Sequence, residues 1–125
     1  MGKKTILIVD DDESILNVIE TLLKSEGYKV VKAENGVKAL AKLKKTKVDL
    51  VLIDHFMPKM TGVELLEKIR ADKKLKNLKC AFITVGIFKK FGKRWIEKLN
   101  ALDYIHKPFD NADLVKRVKK MLEQK

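Results

Sequence analysis

The sequence predicts an α/β fold built on a parallel sheet. Five short β-like runs alternate with five helix-like stretches, three of the runs are almost wholly apolar, and the intervening stretches repeat apolar residues at helical spacing. Alternation of this kind marks βα units, and strands apolar on both sides need helices over both faces.

The first run, Thr5 to Val9, leads into a stretch where Ile15, Ile19, Leu22 and Leu23 fall on one helical face. Asp12 stands where an N-cap belongs, and Gly27 can close that helix in a left-handed conformation. The second run, Lys29 to Lys32, is followed by the Asn35-Gly36 turn and by Val37, Leu40, Ala41 and Leu43. The third, Leu50 to Ile53, precedes Thr61, an N-cap candidate, and a helix carrying Val63, Leu66 and Ile69. The fourth, Cys80 to Val85, is followed by a less regular stretch from Ile87 to Asn100. There Phe88, Phe91 and Trp95 lie among Lys89, Lys90, Lys93 and Arg94, a pattern that fits either inward packing or a partner surface. The fifth, Tyr104 to His106, leads to a closing helix with Leu114, Val115, Val118, Met121 and Leu122 on one side.

Length and composition fit one globular domain spanning residues 1–125, with 46% apolar and 36% charged residues. No apolar run approaches the roughly 20 residues a membrane helix needs, and no secretory leader is visible, so a cytoplasmic location is expected. Cys80 has no partner for a disulfide. The net charge of +11 comes from lysines spread along the chain; this reads as general solvation, and nucleic acid is not the expected partner.

In an open parallel sheet, ligands bind beyond the C-terminal ends of the strands. The first run ends in Asp10-Asp11-Asp12, the third in Asp54, the fourth in Thr84, and the fifth leads into Lys107-Pro108. Carboxylates about 4 Å apart repel by roughly 4 kcal/mol at an effective dielectric of about 20, so such a cluster calls for a cation or shared protons, and a divalent cation is the economical answer. All-oxygen ligation with few protein groups suits Mg²⁺. Lys107 adds a positive charge that can pair with Asp54. His55 and His106 each follow or precede a pocket residue directly, so they read as packing or surface residues.

Val9-Asp10-Asp11, then Asp54-His55-Phe56-Met57-Pro58 with Gly62, then Asp103-Tyr104-Ile105-His106-Lys107-Pro108-Phe109 resemble the receiver domains of two-component response regulators, in particular stand-alone chemotaxis-type regulators. The resemblance covers essentially the whole chain. It implies a flavodoxin-like (βα)5 doubly wound sheet of strand order 2-1-3-4-5. It makes Asp54 the phosphoacceptor, with Mg²⁺ held by Asp10, Asp11, Asp54 and the Phe56 carbonyl. Lys107 would bind a phosphoryl oxygen through a chain with a cis Lys107-Pro108 peptide, and Tyr104 would report phosphorylation through its rotamer. Such a protein is a phosphoacceptor and switch rather than an ordinary enzyme, assisting its own phosphorylation and slow dephosphorylation. The expected partners are a sensor histidine kinase or histidine phosphotransfer protein, and a downstream protein bound on the face of the fourth helix, fifth strand and fifth helix.

The pattern leaves one register open. Receivers place a switch hydroxyl at the end of the fourth strand; counting forward from Asp54 reaches Thr84, whereas counting back from Lys107 reaches Val85. These side chains point to opposite faces of a strand, and Thr84 is preferred because a one-residue change in the following loop is easily accommodated. An acid phosphatase using the same Asp and metal would carry a general acid where Phe56 stands. A pseudo-receiver serving only as an interaction module would lack members of the acidic pocket, all of which are present. Phe56, bulky beside the acceptor, also implies slow loss of the acyl phosphate.

Overall fold

The computed structural model describes residues 2–85, 94 and 97–124. Its elements are β1 (Thr5–Val9), α1 (Glu13–Ser25), β2 (Lys29–Ala33), α2 (Gly36–Lys45), β3 (Leu50–Ile53), α3 (Gly62–Ala71), β4 (Lys79–Val85), β5 (Tyr104–Lys107) and a C-terminal helix (Asn111–Glu123). The strands form one parallel sheet in the order β2-β1-β3-β4-β5. The expected doubly wound order is therefore present. Phe88, Phe91, Trp95 and the basic residues Lys89, Lys90 and Lys93 lie outside the described residues, while residues 97–99 are helical.

Alternation along each strand divides the core in two. Leu7, Val9, Val51, Ile53, Cys80 and Phe82 face Ala39 and Leu43 of α2 and Leu65, Leu66 and Ile69 of α3. Ile6, Ile8, Leu50, Leu52, Ala81, Ile83 and Ile105 face Leu16, Ile19 and Leu23 of α1 and Leu114, Val118 and Met121 of the C-terminal helix. Each fully buried aliphatic side chain contributes roughly 1.5–3 kcal/mol over its exposed state, so one register slip would invert both layers at once.

The helix starts follow from local chemistry. Asp12 accepts the Ser14 and Ile15 N–H groups, Asn35 accepts that of Lys38, and Thr61 forms a reciprocal capping box with Glu64. Gly27 takes φ +93° after α1, a conformation that excludes most side chains. Arg70, near the end of α3, donates to the carbonyls of Lys76, Leu78, Leu99 and Asn100. One guanidinium thereby ties the connections on either side of β4 to α3, using the several fixed donors that lysine lacks.

Candidate functional site

The sheet brings Asp10, Asp11, Asp54, Thr84 and Lys107 to one end of the molecule. β1 and β3 are adjacent, with Val9 paired to Ile53, so the residues that follow them are neighbours. The Asp54 N–H donates to the Val9 carbonyl at 2.9 Å, which fixes the loop after β3 against the one after β1. Gly62 brings the first turn of α3 against the same loop: its N–H donates to the His55 carbonyl at 2.9 Å, and its backbone packs where no Cβ fits.

Asp10 and Asp54 are buried and Asp11 is exposed. Each offers a carboxylate oxygen, and these oxygens lie within 4.8 Å of one another. Asp10 Oδ1 accepts the Asp12 N–H at 2.9 Å, and its Oδ2 is ion-paired with Lys107 Nζ, which also stands 3.7 Å from Asp54 Oδ1. Lys107 thus leans on Asp10 more closely than on Asp54, the partner the sequence suggests. Nothing in the sequence signals this contact, because β1 and β5 are separated by two strands in the sheet.

Burial raises the Asp54 carboxyl above its ordinary range, and the charge of Asp10 pushes the same way. The Thr84 hydroxyl, the Lys107 ammonium and the Phe56 N–H oppose that rise by favouring the carboxylate. The Asp54 carboxylate is costly to bury and is surrounded by groups that favour its charged form. Three crowded carboxylates with hard oxygen donors, one exposed toward solvent, fit a Mg²⁺ ion with coordinated water.

The two candidate residues at the end of β4 differ in burial. Thr84 is fully buried, and Val85 is 42% exposed. The Thr84 hydroxyl faces Asp54 and favours its carboxylate, although among the described residues no acceptor stands in well-formed hydrogen-bond geometry to Oγ1. A buried hydroxyl held in this way gains from a better-placed acceptor in its vicinity.

Around this centre, Phe56 is 46% exposed at the rim and packs edge-on against the His55 ring. His55 is half-buried and its Nδ1 accepts the Val63 N–H at 3.4 Å; burial lowers its pKa, against a smaller opposing effect of Glu64. His106 is exposed and edge-on to Tyr104, whose hydroxyl donates to the Val85 carbonyl at 2.9 Å. The Lys107-Pro108 peptide is cis. The clefts beside the C-terminal helix and at the α3–β4 connection are lined by none of these acidic-end residues.

Residues 6–119 match the family model described as response regulator receiver domain. The chain is 35% identical over 124 residues to the alkaline phosphatase synthesis transcriptional regulatory protein PhoP of Bacillus subtilis, covering 99% of this chain and 50% of that protein. It is 38% identical over 122 residues to chemotaxis protein CheY-3 of Vibrio cholerae, covering 95% of this chain and 92% of that one. The chain thus spans about half the length of the transcriptional regulator and nearly all of the chemotaxis protein. Among solved structures, response regulator TrrA of Thermotoga maritima, in complex with Mg²⁺ and beryllofluoride, superposes with a TM-score of 0.82 at 35% identity, covering 94% of this chain and 98% of that one. With its parallel sheet, its acidic strand ends and these matches, the chain belongs to the response regulator receiver domain family.

Proposed function

We propose that Asp54 accepts a phosphoryl group from the phosphohistidine of a sensor kinase or phosphotransfer protein, and that residues 1–125 act as one cytoplasmic receiver. The observation that carries this reading is the convergence of Asp10, Asp11, Lys107 and the buried Thr84 hydroxyl on the buried Asp54 carboxylate. In the transfer, the donor's phosphorus–nitrogen bond breaks as a phosphorus–oxygen bond to Asp54 forms. The imidazole leaves with the electron pair and takes a proton from solvent.

Asp10, Asp11, the Asp54 carboxylate and the Phe56 carbonyl would hold Mg²⁺; the Mg²⁺–beryllofluoride complex of the Thermotoga relative supports that assignment. When bound, the ion supplies positive charge against the carboxylates and the phosphoryl oxygens. The chain's own residues position the rest. Lys107 neutralises an equatorial oxygen, and Thr84 donates its hydroxyl to another. Drawing these two groups inward is the proposed switch, reported by Tyr104 and read by a downstream protein on the face formed by β5, the C-terminal helix and the stretch before β5.

The test is incubation with acetyl phosphate and Mg²⁺, followed by intact-mass measurement and peptide mapping. One phosphoryl mass gain at Asp54, abolished by chelator, is expected; a gain that maps elsewhere sinks the proposal. Thr84→Ala should still take up phosphate but lose most of the phosphorylation-dependent NMR shift change at Tyr104. An undiminished change at Tyr104 would remove Thr84 from the switch. Phe56→Asn should shorten the acyl-phosphate lifetime several-fold by opening the rim to water, and a longer lifetime than wild type would refute the shielding role.

A further inference from the structure

At the end of the sheet opposite Asp54, the last turn of α2 and the α3–β4 connection enclose an open cleft of about 560 Å³. It is lined by Leu43, Lys44, Asp72, Lys73, Lys74 and Leu75. This volume lies within the roughly 300–1,000 Å³ of pockets that take compact apolar groups. Its floor is apolar, its rim is cationic, and Lys44, Lys73 and Lys74 are exposed.

The local charge is one-sided. Residues 42–49 and 68–79 hold ten lysines and arginines against two aspartates, Asp49 and Asp72. Asp49 accepts the Thr5 N–H, and Asp72 Oδ1 accepts the Lys74 and Leu75 N–H groups, so both carboxylates are engaged with backbone. Among the described residues, Lys44, Lys73 and Lys74 have no carboxylate within ion-pairing distance. Lys44 lies in the last turn of α2, where a cation complements the helix dipole. That account does not extend to Lys73 and Lys74, which lie beyond α3 in the connection. The acidic centre at Asp10, Asp11 and Asp54 occupies the other end, so an anionic partner is drawn to the cleft and repelled from the phosphorylation site.

We infer that this cleft docks a partner protein through a segment that presents a large apolar side chain flanked by carboxylates. The apolar floor distinguishes that occupant from a plain polyanion: phosphate backbones and lipid headgroups engage charge alone and gain nothing from Leu43 and Leu75. The reading is independent of phosphoryl acceptance by Asp54 and concerns a different surface.

The test is an NMR titration of the full ¹⁵N-labelled chain with an amidated peptide of two leucines flanked on both sides by glutamates. Shifts should centre on Leu43, Lys44 and residues 72–75. The triple variant Lys44→Glu, Lys73→Glu, Lys74→Glu should bind at least tenfold more weakly while keeping the wild-type spectrum elsewhere. Reversal of Lys116, Lys119 and Lys120 to glutamate, on the C-terminal helix, should leave most of the affinity. A peptide with serines in place of the leucines should bind at least fivefold more weakly. The proposal is overturned if no shifts appear at millimolar peptide, if they centre elsewhere, or if the serine peptide binds equally. It is also overturned if duplex DNA or phosphatidylserine vesicles perturb the same residues more strongly than the leucine peptide does.

Discussion

Replacing Gly62 by alanine is expected to lower the unfolding free energy by about 2–3 kcal/mol and to slow phosphoryl uptake with it. A Cβ at this position meets the Asp54 carbonyl at 2.5 Å, the His55 Cα at 2.8 Å and Ile53 Cγ2 at 2.9 Å. Two of these atoms are backbone and cannot swing aside, so the loop carrying Asp54 must separate from the first turn of α3. Alanine's greater helix propensity offers at most about 1 kcal/mol in return, and the clash decides the sign. Gly36→Ala is the informative contrast: the three atoms nearest its new methyl all belong to the flexible side chain of Met60, so it should cost much less. Urea denaturation of both variants checks the comparison, and equal midpoints would refute it.

The second large effect is expected from Asp54→Asn, which should abolish phosphoryl uptake and yet make the protein more stable by on the order of 1–2 kcal/mol, a few degrees in thermal midpoint. Burial, with Asp10 adding to it, raises the folded-state pKa of Asp54 above the ordinary 3.8. Between 3.8 and that raised value the folded chain binds more protons than the unfolded one, so stability falls as pH climbs through the window. The penalty is complete above it. The asparagine variant should therefore show its full advantage at neutral pH and lose it as the pH falls toward 3.8. Melting curves across that range provide the measurement; an advantage that grows on acidification would contradict the argument.

Much of the scaffold was legible because it depends on short-range rules. β1 and β3 fall at the expected residues, while β2, β4 and β5 each extend by one. Asp12 and Thr61 cap as their side chains dictate. The acidic end was legible because a parallel sheet gathers the C-terminal ends of its strands on one edge. What the sequence left open needed three-dimensional register. Thr84 and Val85 differ by one position on a strand, and only the placement of that strand decides which is buried. The four-carbonyl grip of Arg70 and the pairing of Lys107 with Asp10 join segments far apart in the chain and leave no local pattern.

The placement of Lys107 has a mechanical consequence. It is carried by β5, which among the described residues is an edge strand paired only with β4, whereas both of its carboxylate partners follow interior strands. A pull between the ammonium and the interior carboxylates is therefore borne unequally. The interior of the sheet is the fixed anvil and the margin yields, since shifting β5 strains one ladder where shifting β1 or β3 would strain two. In the proposed switch, the work of adding a phosphoryl group is thus delivered to the outer rim of the molecule, where displacement is cheapest and another protein can feel it.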